Sequence, residues 1–255
     1  KISTTSIPFR DLIVFARAAS NKPELFILER AIKKGQIILD IDLNFDETGK
    51  IKRDYKIEGI LKDGKIKLLN NFNFENINFL FNVNNNIFDF RDIKFTKNNS
   101  KFFSENIKII KDKKDFLIEG NISNNDTLLK KELLNFLNID LQSIGFSNTN
   151  FNSISKFSFL INRNFKIKNL VLDSDIQVIE ADYRASNFSN NFFDIKNNTL
   201  KLKNHNIKFN IKKNKKTING SGKIKIQENL ENVKYNIDLK DKDFELNSQL
   251  ILSEL

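Results

Sequence analysis

His205 is the only histidine of the chain, and imidazole is the side chain best suited to move a proton or hold a metal near neutral pH. A metal site needs companions at ligand spacing, and the flanking Asn204 and Asn206 supply none; the pattern places His205 in a polar turn. Asp40 and Asp42 fall on one parity of a strand, roughly 6.6 Å apart at about 3.3 Å per residue, a separation that could suit paired acid chemistry. The same carboxylates are what the wet side of an amphipathic strand carries, and that reading prevails. Gly220-Ser221-Gly222-Lys223 has the look of a phosphate loop. Thr217 stands where its first glycine belongs, however, and Ile224 stands where a magnesium-binding hydroxyl should follow the lysine. It reads better as a strand whose two glycines allow a bend or close packing. With no Cys, thiolate nucleophiles, thiolate metal sites and disulfides drop out, and no Gly-x-Ser-x-Gly pattern supports a hydrolytic triad. The Asn-x-Ser/Thr tripeptides at Asn121, Asn125, Asn187, Asn197 and Asn219 are what a chain this rich in Asn produces by chance. No catalytic constellation emerges, so the chain is expected not to be an enzyme and to need no cofactor and no metal.

What the sequence does supply in quantity is phenylalanine: 25 Phe against 3 Tyr and no Trp. Aromatics that stack on nucleic-acid bases sit exposed among Lys and Arg, whereas most of these fall on the apolar parity of alternating segments and have no polar tip for a wet surface. Ile77, Phe79, Phe81, Val83, Phe116, Ile118, Phe157, Phe159, Phe209 and Ile211 are the residues expected to line an apolar groove. So many sequential amphipathic strands must close over each other, close as a barrel, or leave an apolar trough that something else fills.

The elements that would position this lining follow from a two-residue period that starts near Gly35. Ile37, Leu39, Ile41, Leu43 and Phe45 alternate with Asp40, Asp42 and Asn44, and the pattern returns at Tyr55 to Leu61, Ile66 and Leu68, Phe72 and Phe74, Ile77 to Val83, Ile107 and Ile109, and Phe116 to Ile122. Hairpin turns are expected at Asp46 to Lys50, Asp63-Gly64, Asn84 to Asn86, Lys97 to Ser100 and Lys111 to Asp115. With only 8 Gly and 2 Pro, these turns depend on Asn and Asp, which enter the left-handed region more readily than other side chains. Before the sheet, Ser6 and Pro8 can start a helix with Phe9, Leu12, Ile13, Ala16 and Ala19 on one stripe. A second helix is expected from Pro23, packed through Leu25, Leu28, Ala31 and Ile32, with Lys33 and Lys34 in its last turn and Gly35 as its C-cap. After Ser123, Asn125 or Asp126 can cap a helix through Leu128, Leu129, Leu133, Leu134 and Leu137, followed by a polar connection from Asn138 to Asn152. Strands then resume from Phe157 to Leu252, with Thr217 to Ile226 echoing Phe116 to Ile122.

The expected organisation is one segment over residues 1–255, with a helical lead-in at 1–34, a first meander at 35–122, a helix and connection at 123–143, and a second meander at 144–255. The expected fold is mainly β: an elongated, twisted antiparallel sheet curled into a groove, with short N-terminal helices and one intervening helix. A chain that starts at Lys1 and contains no Met is expected to be part of a longer protein, and no apolar run approaches the roughly 18 to 20 residues of a membrane helix. The formal net charge of +10 is spread through turns such as Lys111 to Lys114 and Lys212 to Lys216, a distribution that argues against nucleic acid as a partner and suits lipid headgroups about as well. An outer-membrane barrel is disfavoured, since Tyr and Trp girdles are missing.

The order of these parts, with Glu29 to Gly35 leading into a long meander and with Gly35, Gly59, Gly120, Gly220 and Gly222 at the ends or middles of strands, resembles the AsmA-like superfamily of bacterial envelope proteins, in particular the central region of its YhdP-type members; TamB is a more distant likeness. The resemblance covers nearly the whole chain. It implies a segment of a periplasmic protein, anchored in the inner membrane by a region outside these residues, that carries phospholipids between inner and outer membranes through an apolar β groove. Partners would be phospholipid acyl chains, the two membranes, and envelope proteins at the ends of the segment. The rival expectation is a structural or assembly module whose apolar core is filled by its own side chains.

Overall fold

The computed structural model describes residues 1–19, 29–49, 52, 54–67, 73–112, 115–129, 146–162, 166–184, 199–213, 215–226, 229–239 and 244–251. The chain opens with β1 (Ile2–Ser3) and β2 (Ile7–Pro8) and enters helix α1 (Phe9–Ala19), whose first turn holds Asp11 and last turn Arg17, charges that complement the helix dipole. Its expected inner stripe is present: Ile13 is buried and Phe9, Leu12 and Ala16 are half-buried, while Phe15 is 73% exposed. Twelve longer strands follow: β3 (Ile32–Asp42), β4 (Lys56–Lys67), β5 (Asn73–Asn84), β6 (Ile87–Lys97), β7 (Ser100–Asp112), β8 (Asp115–Leu128), β9 (Phe146–Ile161), β10 (Ile167–Arg184), β11 (Thr199–Lys212), β12 (Lys215–Ile226), β13 (Asn229–Leu239) and β14 (Phe244–Ile251). They form one open antiparallel sheet in sequence order, with β1 and β2 sharing the outer edge of β3. The mainly β antiparallel fold is thus as the alternation predicts.

Several boundaries differ, and the differences share a cause. Only Glu29 to Ala31 are helical among the described residues after α1; positions 20–28, where the second helix should begin, lie outside them. Ile32, Lys33 and Lys34 belong to β3, so Gly35 is no helix cap. Ile32 is 1% exposed opposite Ile66, and Gly35, at φ +148°, sits where the β3–β4 register shifts. Pairing in the sheet buries Ile32 and satisfies its backbone, which a helix terminus could not do. Asp63-Gly64 is not a turn but lies inside β4, and His205 is not in a turn but inside β11. Asn125, Asp126 and Leu128, expected in a helix, complete β8, and Phe146 to Asn152, expected in a polar connection, begin β9. The rest of that helix and connection, at 130–145, falls outside the described residues.

The common cause is the β-bulge. Asp63, Asn76, Asp92, Asp126, Asn148, Asn169 and Asn204 all have φ between 47° and 53° in mid-strand, where a single left-handed residue lets the strand slip by one and bend. Inward-facing residues accordingly step by three at each such point: Leu61 to Gly64, Phe74 to Ile77, Phe90 to Ile93 and Leu202 to His205. Register shifts accompany the slips in β4–β5, β5–β6 and β11–β12. Asparagine side chains on the neighbouring strand catch freed backbone donors: Asp63 N–H donates to Asn78 Oδ1 at 3.1 Å, Glu105 N–H to Asn121 Oδ1 at 2.9 Å, and Asp126 N–H to Asn152 Oδ1 at 2.7 Å. True hairpin turns fall where expected at Asn85-Asn86 and at Asn98-Asn99, the latter with φ 50° and 68°. Asp46 builds the turn before β4 by accepting from the Thr48 N–H through its carboxylate and from Gly49 N–H through its carbonyl.

The chain divides into two units, one of residues Lys1–Ile122 with Ser158–Lys168 and one of Ser123–Phe157 with Asn169–Leu255. In the first, Ile37, Leu39, Leu61 and Ile77 form the core, covered by Phe9 and Leu12 of α1 and flanked by Phe74, Phe79, Phe81 and Phe95. In the second, buried Val178, Ala181, Leu200, Phe209 and Ile211 share the interior with Asn124, Thr127, Thr149, Ser174, His205 and Glu231.

Candidate functional site

In the first unit the pairing register stacks inward side chains into rungs across five strands: Leu39, Gly59, Phe81, Phe90 and Ile107 on one rung, and Ile41, Ile57, Val83, Phe88 and Ile109 on the next. Strand pleat forces this, because residues two apart must share a face and cross-strand partners must share a rung. Phe79 meets Phe81 and Phe90 edge to face, with ring centroids 6.1 and 5.3 Å away. Of the expected lining residues in this unit, Ile77 is buried in the core, whereas Phe79, Phe81, Val83, Phe116, Ile118 and Phe159 are half-buried. A cation lies above two of the inward rings: Lys97 Nζ is 5.3 Å from the centre of Phe74, and Lys111 Nζ is 5.9 Å from that of Phe116.

The opposite face of the same strands is mostly polar, apart from exposed Ile38, Ile60 and Leu80, which stand side by side on it. Asp40 and Asp42 stand on it, Asp40 opposite Ser3 and Glu58 and Asp42 opposite Lys56, so they serve as polar surface and face no reacting group. Asp89 is there too. Burial raises its pKa, but hydrogen bonds from Arg91 at 2.6 and 2.8 Å and from Asn106, with the charges of Arg91 and Lys108, outweigh that and hold the carboxyl below its usual value.

In the second unit Phe157 is half-buried and Phe209 and Ile211 are buried at 6% and 5% exposure. The interior here is polar as well as apolar. Asn124 donates to Phe151 O at 3.0 Å and accepts from Ser153 Oγ, and the Ser174 hydroxyl meets that of Ser155 at 2.8 Å. His205, missed as a site by reading it in a turn, is 1% exposed. Its Nε2 lies 2.9 Å from Lys223 O, which can only accept, so Nε2 carries the proton; Nδ1, 3.2 Å from Tyr235 Oη, then accepts from the phenol. Both rings rest on glycine. A Cβ on Gly222 would come within 2.4 Å of the imidazole, and one on Gly220 within 2.1 Å of the Tyr235 ring. The close-packing role expected for this glycine pair is what the strands show. Burial lowers the His205 pKa, against the Lys223 hydrogen bond that raises it, and pushes the Tyr235 phenol up to about 12. The one mark of this pair in the sequence is the Gly220-x-Gly222 of the neighbouring strand, which leaves room for two rings; the inward turn of His205 depends on the slip at Asn204.

An open hollow of about 940 Å³ in the second unit is bordered by Asn152, Asp175, Gln177, Asn206, Asn219 and Lys234 of the wet parity and by Ile176, Ile207, Gly220 and Tyr235 of the other, and none of the residues expected to line the groove borders it. Among the described residues no group of three His, Cys, Asp or Glu could hold a metal ion, and no helix is long and apolar enough to cross a membrane. Comparison with protein families, curated proteins and solved structures finds no match.

Proposed function

We propose that the chain is a segment of a periplasm-spanning, AsmA-like protein that carries phospholipids between inner and outer membranes along the apolar face of its sheet. The supporting observation is the set of half-buried apolar residues in the first unit, Phe79, Phe81 and Val83 along β5, Phe116 and Ile118 on β8 and Phe159 on β9, which are left partly uncovered. Shielding acyl chains there is worth about 0.8 kcal/mol per methylene, while headgroups remain in water near the lysines. A uniform apolar strip has no single deep well, so chains would slide without nucleotide or cofactor. Anchoring in the inner membrane, and envelope partners at the ends, belong to the same proposal.

A second reading, a structural or assembly module with a self-filled core, draws support from the second unit, where Phe209, Ile211 and Val178 are already covered. Photocrosslinking residues placed at Phe79 and Phe159, followed by mass spectrometry, separate the two. Labelled phospholipid at those positions and none at Asp42 is the expected result, and Phe79→Asp should stop passage with the fold retained. Empty crosslinks at both positions would leave only the scaffold.

A further inference from the structure

We propose that the open hollow of the second unit binds an acidic oligosaccharide, a chain of sugar rings that bears carboxylates. The site is separate from the lipid lining of the first unit and does not depend on it. One rung of the polar parity borders the hollow: Asn152, Gln177, Asn206, Ser221 and Lys234, one from each of the successive strands β9 to β13. At about 4.8 Å per strand the row is about 19 Å long. The left-handed Asn204 slips β11 just before this rung, and the bend that a bulge puts into a strand falls beside the hollow. The volume of about 940 Å³ lies at the large end of small-ligand sites, with room for several linked rings.

The chemistry of the row selects the ligand. A carboxamide offers N–H donors and a carbonyl acceptor, and a sugar hydroxyl both donates and accepts, so the two satisfy each other in either orientation. On the polar face of the first unit such groups are spent on one another: Asp89 takes hydrogen bonds from Arg91 and Asn106, and Lys56 pairs with Glu58. In the hollow they are not. Among the described residues, the side chains of Asn206, Asn219, Ser221 and Lys234 have no hydrogen-bond or ionic partner within the protein. Ile154, 63% exposed, gives the C–H face of a ring an apolar surface at the β9 end. Charge supplies the rest. Asp175 and Lys208, the other charged residues of the hollow, pair at 3.7 Å and offset each other. Lys234 is left amid neutral groups: Ser221 and Gln249 are its cross-strand partners and Asn232 and Asn236 flank it on β13, while Lys223, opposite Asn232, adds a second cation in place of a counter-ion. An ammonium so placed attracts a carboxylate, with the amides beside it donating to the remaining oxygen lone pairs. A neutral glycan would leave the ammonium unmatched, and a bare polyanion would leave the amide carbonyls unmatched.

Three probes test the site: a galacturonate hexamer, the glucose hexamer of cellulose, which has similar rings without the acid, and polyphosphate, which has the charge without hydroxyls. Each is titrated into the ¹⁵N-labelled chain while the carboxamide signals of Gln177, Asn206 and Asn219 are followed. The galacturonate hexamer should shift these signals and bind about tenfold more tightly than the glucose hexamer, the difference between a charge-assisted and a neutral hydrogen bond. Lys234→Gln should remove that preference and bring both sugars to one affinity. Asn206→Ala should weaken both by about two- to tenfold, the worth of one hydrogen bond. Both side chains are exposed, so the variants should keep the fold, which unchanged amide exchange in β11–β13 verifies. No shift with either sugar overturns the proposal. So does polyphosphate that binds as tightly as galacturonate at the same signals, which would mark mere ion exchange, and so does a preference for the acidic sugar that survives Lys234→Gln.

Discussion

The two units are built on one backbone device and filled with different chemistry. Both use strands that slip at a left-handed Asn or Asp, with the loosened backbone donor caught by an asparagine next door, as at Asp63 with Asn78 and at Asp126 with Asn152. In the first unit, though, the inward face is mostly Phe, Ile and Leu, with Lys97 and Ser104 as its buried polar residues, and α1 covers one stretch while the Phe79 to Val83 stretch stays half-open. In the second, the inward face mixes Phe209 and Ile211 with Asn124, Ser174, His205 and Tyr235, joined by specific hydrogen bonds. Apolar contacts are non-directional and tolerate sliding; a hydrogen-bonded interior fixes one arrangement. The packing of the first unit is therefore tolerant of small shifts, and that of the second is held in one arrangement.

That contrast can be broken by mutation. The largest effect should come from Leu61→Ala: Leu61 is 0% exposed within the first core, and its loss should cost about 3 to 4 kcal/mol in urea unfolding, with amide exchange rising first in β3–β5. Gly222→Ala should cost the second unit about 2 kcal/mol, because its methyl meets both the His205 ring and the His205 backbone, 2.7 Å from Cα. Exchange there should rise first in β11–β13. Should either substitution loosen both sets of strands equally, the two interiors act as one. The shared device gives a smaller effect, with Asn78→Ala and Asn152→Ala each expected to cost about 1 kcal/mol; a clear difference between them would mean that the bulges are not equivalent.

Acid separates the two interiors more finely. Above pH 6.5 the second unit should keep the whole of the His205 contribution to its stability, and lose that part as pH falls toward the depressed His205 value. Asp89 in the first unit has a lowered pKa, so its contribution is present above the ordinary carboxyl value of 3.8 and is lost only below it. The smallest expected effect is that of Arg91→Ala, under about 0.5 kcal/mol, since Arg91 is 60% exposed and its pair with Asp89 is screened by water.

Alternation of Ile, Leu and Phe with Asp, Asn and Lys was enough to read most strands, their inward parity and the turns at Asn85-Asn86 and Asn98-Asn99. The failures at Asp63-Gly64 and at Asn204 to Asn206 came from treating a break in period two as a strand end. A bulge produces the same break within one strand, and composition cannot separate the cases because Asn, Asp and Gly favour both. For the same reason His205 looked solvent-exposed: its neighbours are polar, and only the slip at Asn204 rotates it inward.

From sequence alone came the β class, the wet and dry sides of most strands, and the lack of thiol chemistry, because these depend on residue type and on a pleat that every strand shares. Only the tertiary structure decided which inward side chains are covered and which remain half-open. That outcome depends on partners far away in sequence, such as α1 over Ile37 and Leu61, or Tyr235 on β13 meeting His205 on β11. Burial is a property of the assembled neighbours, and no local period encodes who those neighbours are.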